Sequence, residues 1–440
     1  MLNKLQEIFA KNSGFYKNIL SVAIVVFLVK VFGFIKEIYI SKSFGMSEEL
    51  DVFFILILIP TFFKSVFLGA FKAVLIPNYI YAKKNNNTVF HNNLILQTIL
   101  LSIVLTFSVF LLLEPINTYL VRNYSSQIGA KVFSYQSIIL WCIPLWTFSS
   151  LISGLLDVRK KFMISVFSPI ITSVVIIISL IFYSPSAKLI TLAYVVGAFC
   201  ETIFLYLNNP LKLKFSDLNF YDSESVNLYK QFVPKLLSGL IIGLNPIVDQ
   251  FFTSGLADGA ISTLNYGMKF PAFVIGVFTV AVGNVILPYF AEIAEKSTEE
   301  IASFLKQKIL YVFLFSSLCS LLLILFGEDL VTLFFQRGEF DLSDTERVSY
   351  VLFMFSFQIP FYLMDIIFVR FLTAYNLNWF NILSSSISVV VNLICNFLLI
   401  EKFGVAGIAL STSIVIVISC LVKLLYVRSL IKRKMIKKYV

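Results

Sequence analysis

Lysine is costly inside a long apolar run, yet Lys30, Lys64 and Lys269 each stand well inside one. An ammonium at the centre of a bilayer costs roughly 2.5–3.5 kcal/mol to insert. Such a charge needs an anion or a water-filled space to offset that cost. At 100° per residue Lys30, Gly33 and Lys36 fall within an arc of about 120°, so one sector of a first helix could present two ammoniums to a common space. The chemistry available to them is charge-assisted hydrogen bonding to an anion, with a pyrophosphate as the natural candidate. The competing reading is snorkelling, in which the stem lies in apolar surroundings and the head reaches an interface. It applies best to Lys36, Lys72 and Lys235, which lie nearer the ends of their runs.

The acids inside apolar runs do not outweigh these cations. They are Glu201, Asp249 and Asp365, and Arg370 stands five residues after Asp365, close enough to predict a structural ion pair. Catalytic constellations are thin. His91 is the only histidine and falls at the start of a run, where it reads as a solvated cap residue. There is no glycine-rich phosphate loop and no pair of carboxylates at catalytic spacing, so no enzyme is expected.

The elements that must position these groups are membrane helices. Of 440 residues 58% are hydrophobic and 14% charged, against roughly a quarter charged in soluble domains. The runs are continuous rather than alternating, which excludes a β-barrel. They predict about twelve spans, near 18–41, 50–81, 91–114, 131–156, 162–184, 187–208, 231–253, 259–290, 303–326, 346–373, 379–400 and 403–427. The fold class expected is therefore an all-α polytopic membrane protein. The first run holds Lys30 and Lys36 and lacks a small-residue cleavage site, so it reads as a retained span and not a signal peptide. Cys142, Cys200, Cys319, Cys395 and Cys420 all lie in apolar runs without paired spacing and read as small buried side chains.

With the N-terminus inside, the outer loops hold only Lys42, Arg122, Lys131, Lys188, Arg337, Arg347 and Lys402, while most of the basic residues, among them Lys83, Lys84, Arg159, Lys160, Lys161, Lys212 and Lys214, fall inside. This asymmetry predicts that both termini are cytoplasmic. It also explains the net charge of +10 and the basic tail from Arg428 to Lys438 as topology anchors beside anionic lipid, without nucleic acid. The longest polar connection splits the spans six and six: a lobe over 1–210, a cytoplasmic linker over 211–230, a second lobe over 231–427 and the tail over 428–440. Gly45, Pro60 and Pro77 are answered by Gly255, Pro271 and Pro288 at an offset near 211 residues, as two parallel repeats would produce. Pro60 and Pro271 are expected mid-span, as kinks or as hinges beside a wet cavity.

The stretch Lys30, Val31, Phe32, Gly33, Phe34, Ile35, Lys36, Glu37, followed by Phe44, Gly45, Asp51, Phe53, Phe54, Pro60, Lys64, Gly69, Ala70, Phe71 and Pro77, resembles the first two helices of the MurJ (MviN) lipid II flippases, within the wider superfamily of multidrug, oligosaccharidyl-lipid and polysaccharide (MOP) exporters. A second block resembles their eighth helix: Asn265, Tyr266, Gly267, Met268, Lys269, Pro271, Gly276, Val277, Val280, Ala281, Gly283, Leu287 and Pro288. A third, Phe335 to Phe340, resembles the loop before the tenth.

The resemblance implies a MATE-like pair of six-helix lobes around a central cationic cavity. In that family an alternating-access cycle carries an undecaprenyl-pyrophosphate-linked sugar across the cytoplasmic (inner) membrane. The family's cavity arginines fall at Lys30, Lys36, Lys64 and Lys269, all lysine here, which keeps charge but not the bidentate fork. Asp51 matches the acid that opens the second helix and is placed by the resemblance with these lysines in the substrate-binding cavity, while a glutamate expected just before Gly69 is missing. A sodium site of some members maps onto Asp249, Asn392, Asn396 and Thr412. Asn392 and Asn396, four apart, share a helix face, and the competing role is hydrogen bonding between helices. Coupling to sodium, protons or the membrane potential stays open, with no other cofactor implied. Members typically carry fourteen helices against the twelve expected here, which points toward an O-antigen or capsule repeat unit as cargo beside lipid II. A cation-coupled multidrug exporter is the alternative. The expected partners are the lipid-linked sugar, the bilayer and enzymes of glycan synthesis or polymerisation.

Overall fold

The computed structural model describes residues 13–84, 88–122, 124–209, 223–281, 298–375 and 377–432. Pro288, Gly283, Leu287, most of the expected linker and the tail after Lys432 lie outside the described residues. Within them the regular structure is helical: α1 (Ser13–Phe44), α2 (Glu48–Phe63), a π-helical turn (Lys64–Leu68), α3 (Gly69–Lys84), α4 (Thr88–Leu120), α5 (Ser126–Ile139), α6 (Cys142–Val158), α7 (Phe162–Phe167), α8 (Pro169–Phe182), α9 (Ala187–Asn208), α10 (Ser223–Thr253), α11 (Ala260–Gly267), α12 (Lys269–Ala281), α13 (Thr298–Phe335), α14 (Leu342–Ser356), α15 (Ile359–Ala374) and α16 (Asn378–Lys432).

Eight of the described helical stretches are long and apolar enough to cross a membrane, and the bent pair α14 and α15 makes a ninth. The protein is a multi-pass membrane protein. At 1.5 Å per residue the 55 residues of α16 would run roughly 80 Å, well over twice the hydrocarbon thickness. Gly404 resolves this, because its backbone (φ 54°, ψ −131°) breaks the helix one residue into the expected span 403–427, close to the boundary expected after 379–400. Several helices outrun their apolar windows: α4 has 33 residues and α13 has 38, so their ends stand beyond the core of the bilayer.

The two prolines expected mid-span each accompany an irregularity in the helix. Pro271 follows the break between α11 and α12 at Gly267 and Met268, and Gly267, four residues before it, carries the carbonyl that its missing N–H leaves free. A β-carbon at Gly267 would run into Val351. Pro60 sits inside α2. There it frees the carbonyl one turn back, and the wider π turn follows within one further turn.

The chain forms two compact units. The first comprises Met1–Ile40, Ile59–Glu114 and Tyr135–Leu236. Its core packs Phe71, Leu75, Phe90, Leu94, Leu151, Leu155 and Phe232, and Gly154 lets α6 approach Leu75 of α3. The second comprises Ser41–Leu58, Pro115–Ser134 and Leu237–Val440. One of its cores gathers Ile367, Phe368, Phe371, Leu372, Phe380 and Cys420, another Leu264, Val351, Phe355, Ile408 and Ala409. Serines and threonines within the helices return their hydroxyls to carbonyls one turn back, as Thr98 does to Leu94 and Thr147 to Ile143, so burial leaves them satisfied.

Candidate functional site

The first unit carries Lys30, Lys36 and Lys64. Lys30 is exposed on α1. Lys36, one and a half turns on, is not a snorkelling residue: its Nζ lies 2.8 Å from Tyr194 Oη and 2.8 Å from Glu37 Oε1, with 14% of the side chain accessible. Lys64 opens the π turn, and its ammonium stands 4.2 Å over the ring of Trp146 on α6. Lys36 and Glu201 lie within electrostatic range of Lys64. Glu201 is held two turns beyond Tyr194 on α9, accepting from Ser168 Oγ (3.2 Å) and Thr172 Oγ1 (2.9 Å).

Lys72, expected to snorkel, has its head held by partners on other helices. Its ammonium pairs with Asp157 Oδ2 at 2.8 Å and donates to Ser153 Oγ at 2.6 Å and Ser165 Oγ at 3.3 Å. It ties α3 to α6 and α7. His91 is half-buried rather than solvated and meets Tyr79 Oη at 3.1 Å.

The second unit carries the other candidates. Lys269, the first residue of α12, stands 5.3 Å from the ring centre of Tyr266 and 5.8 Å from that of Phe54, within the range of a cation–π contact. Asp51 is fully buried and saturated. Its Oδ1 accepts from Ser262 N (2.7 Å) and Ser262 Oγ (2.6 Å), and its Oδ2 from Gly259 N (2.8 Å) and Tyr124 Oη (2.9 Å). Burial, with the adjoining Asp51 carboxylate, pushes the Tyr124 phenol above its ordinary range, so it stays a donor. A carboxylate at the N-terminus of α11 meets both its free N–H groups and its dipole. Asp51 thus acts on the protein's own helix end.

Asp249 gathers the group expected around it. Its Oδ1 accepts from Asn392 Nδ2 and Asn396 Nδ2, both at 2.9 Å, and its Oδ2 from Thr412 Oγ1 at 2.8 Å. Asn396 Nδ2 also reaches Asn392 Oδ1 at 3.2 Å, while Asn396 Oδ1 is buried without a hydrogen-bond partner among the described residues. These hydrogen-bond partners of the carboxylate are neutral. Asp365 is built otherwise. Lys423, not Arg370, neutralises it, with Nζ 2.8 Å from both carboxylate oxygens and 2.9 Å from Ser419 Oγ.

The third sequence block, Phe335 to Phe340, forms a cradle for the end of α1. Glu339 N donates to Lys42 O at 3.0 Å, and Met46 N donates to Asp344 Oδ2 at 3.0 Å. Gly45 and Gly338 adopt positive φ (55° and 64°), and a β-carbon on either would strike the opposite backbone.

The profile of the family described as "Lipid II flippase MurJ" matches residues 40–439. The chain belongs to this MurJ family. Probable lipid II flippases MurJ from Buchnera aphidicola subsp. Baizongia pistaciae and Rickettsia prowazekii are 24% and 25% identical over 90% and 89% of the chain, and 80% of each relative is covered. One from Aquifex aeolicus is 27% identical over 77% of the chain and 68% of its own length. In fold, the chain superposes on a lipid II flippase MurJ in an inward closed conformation with a TM-score of 0.80, at 23% identity over 92% of this chain and 87% of that one. It also superposes on an inward-facing multidrug resistance transporter of the MATE family and MOP superfamily, with a TM-score of 0.77 and 12% identity over 94% and 99%. The fold is that of MOP membrane transporters.

Proposed function

We propose that the chain carries lipid II, an undecaprenyl-pyrophosphate-linked glycan, from the cytoplasmic to the outer leaflet by alternating access. Membership of the MurJ family supports a lipid-linked glycan flippase, and the relatives that span most of the chain are named as probable lipid II flippases. The observation that carries the reading is the pair of ammoniums in the first unit: Lys64 on its π turn over Trp146, and Lys36 beside Tyr194. Both are amines on apolar helices beside aromatic side chains, Lys36 also pairing with Glu37, and a diphosphate is the anion that such point charges attract. Lys30 is a further candidate cation in the first unit, and Lys269 one in the second, where Asp51 holds the N-terminus of α11.

A second cargo, a surface-polysaccharide repeat unit on the same lipid diphosphate, is favoured by one feature. Lysine presents a compact charge on a flexible stem where a bidentate arginine would demand a fixed geometry. Both cargoes share the diphosphate, so the lysines serve either. Glycan synthesis and polymerisation enzymes are the expected partners on the two sides.

Energy coupling is proposed at Asp249. Among the described residues, this buried carboxylate has two amides and a hydroxyl as partners and no counter-charge such as Lys423 gives Asp365. A half-turn of either amide would offer oxygen in place of nitrogen, and the unpartnered Asn396 Oδ1 is a ready ligand. Carboxylate, amide and hydroxyl oxygens suit a hard cation. We assign this place to sodium, with a proton as the competing occupant.

The deciding experiment is complementation of cells depleted of their lipid II flippase, scored by growth and by lipid II exposed on the outer leaflet. Rescue by the wild-type chain and its loss in Lys64→Ala at equal membrane level is the expected result. No rescue, with restored export of a repeat unit in a strain lacking that flippase, would reassign the cargo. Failure of both overturns the reading.

A further inference from the structure

Lys64 lies on a wide π turn, a rare helix interruption that is frequent at functional sites. A lysine stem is flexible, and an ammonium that roams binds an anion at a cost in entropy. Trp146 removes that freedom. Its indole is 3% accessible, on a helix packed against the π turn and α3, and its face lies 4.2 Å from the Lys64 ammonium. Indole is the aromatic face that holds cations best. The edge of the same ring carries a second feature: Trp146 Nε1 is buried and has no hydrogen-bond partner among the described residues. A buried donor left unmade is unfavourable, and it stands beside an ammonium, where an anionic oxygen would satisfy it. Tyr194 does the equivalent work for Lys36, with its hydroxyl 2.8 Å from Nζ and its ring 5.2 Å away.

We infer that Trp146 and Tyr194 are positioning residues of the diphosphate site, fixing the Lys64 and Lys36 ammoniums for the headgroup, with the Trp146 N–H as a further donor to a phosphate or sugar oxygen. The inference rests on the flippase reading above and names residues that neither the apolar runs nor the charge pattern single out. It also explains how lysines serve in place of forked cations. The aromatic partner supplies the orientation that the guanidinium plane would otherwise carry.

The test uses the full chain in detergent and undecaprenyl diphosphate as the probe. Trp141 and Trp379 are 66% and 54% accessible, so Trp141→Phe with Trp379→Phe leaves Trp146 as the one reporter of the three tryptophans. Its emission is expected to change on titration with the probe and to stay constant when Lys64→Met is added. In the native background Trp146→Leu is expected to weaken probe binding about tenfold, within the range of a partly desolvated cation–π contact. Tyr194→Phe, which keeps the ring and loses the hydroxyl, is expected to weaken it about threefold. Combining Trp146→Leu with Lys64→Arg restores affinity, because the planar fork needs no aromatic guide. A core residue without this role would not be rescued by that change. Unaltered affinity in Trp146→Leu and a silent Trp146 emission, with binding still lost in Lys64→Ala, would overturn the positioning role and leave the headgroup site standing. Unaltered affinity in Lys64→Ala would overturn both.

Discussion

Lys423 places its ammonium 2.8 Å from both carboxylate oxygens of Asp365, across 58 residues of sequence and from the far half of α16. The lysine is 4% accessible, so the pair is buried. Removing one partner of such a pair strands the other charge, at a cost of about 3–5 kcal/mol, whereas replacing both with apolar residues is often neutral or stabilising. Lys423→Met should therefore lower the midpoint of thermal unfolding in detergent markedly. Asp365→Leu with Lys423→Met should recover most of it. A double variant as unstable as the single would mean that the pair contributes something its geometry does not contain.

Asp51 offers a second test of structure. It accepts four hydrogen bonds, two of them from Ser262, and a hydrogen bond to a charged acceptor contributes about 1.5–3 kcal/mol. Ser262→Ala removes only the hydroxyl and should cost about that much. Asp51→Asn turns an NH2 toward backbone donors and should cost more. Thermal unfolding of the two variants side by side orders them, and equal midpoints would contradict a clamp on α11.

Gly259 tests the same corner through the backbone. Its φ of 78° disfavours any residue with a β-carbon, and that carbon would collide with the Met46 carbonyl. Gly259→Ala is expected to destabilise by at least about 1–2 kcal/mol, again read by thermal unfolding. Gly404→Ala shares the positive φ but meets nothing within 4 Å, so it should be the milder of the two.

These contacts also show which features a sequence reveals. Asn392 and Asn396 were legible as neighbours because a four-residue spacing fixes them on one helix face, and the structure brings them together with Asp249 and Thr412, which only the family resemblance had grouped with them. The boundary near Gly404 was legible from the length of the apolar run. Lys423 was not, since the basic residue close to Asp365 in sequence is Arg370 and nothing local favours a partner on another helix. Lys36 and Lys72 illustrate the same limit. Position along a run suggested snorkelling, while Tyr194, Asp157 and two serines on distant helices decided the outcome. Pro271 was legible as a kink because proline frees the carbonyl four residues back, and the break falls there, at Gly267 and Met268. Trp146 carried no signal at all, because an aromatic residue in an apolar run looks like core until a lysine is found over its face.

Topology follows from the distribution of Lys and Arg. A reporter fused after Val440 and another inserted at Ser216 are both expected to read cytoplasmic. An outward reading at either would reverse the leaflets assigned to loading and release.

The sodium assignment makes the sharpest claim about mechanism. An ion that binds the folded protein and not the unfolded chain stabilises it by RT ln(1 + [L]/Kd), about 2.7 kcal/mol at a hundredfold excess over Kd. Raising sodium at constant ionic strength, with choline as the replacement, should therefore raise the unfolding midpoint of the wild-type chain in a saturable way. Asp249→Asn removes the negative charge and should abolish that rise. Asn392→Leu and Thr412→Val each delete one neutral oxygen and should shift the half-saturating concentration upward without abolishing the effect. Potassium at the same concentrations serves as the control for size, and a titration from pH 8 to pH 5 in choline serves for the proton. If the midpoint follows pH and ignores sodium, and Asp249→Asn flattens the pH response, the occupant is a proton. If neither ion moves the wild-type midpoint, the Asp249 cluster is a hydrogen-bonded strut between α10 and α16, and coupling must be sought elsewhere in the chain.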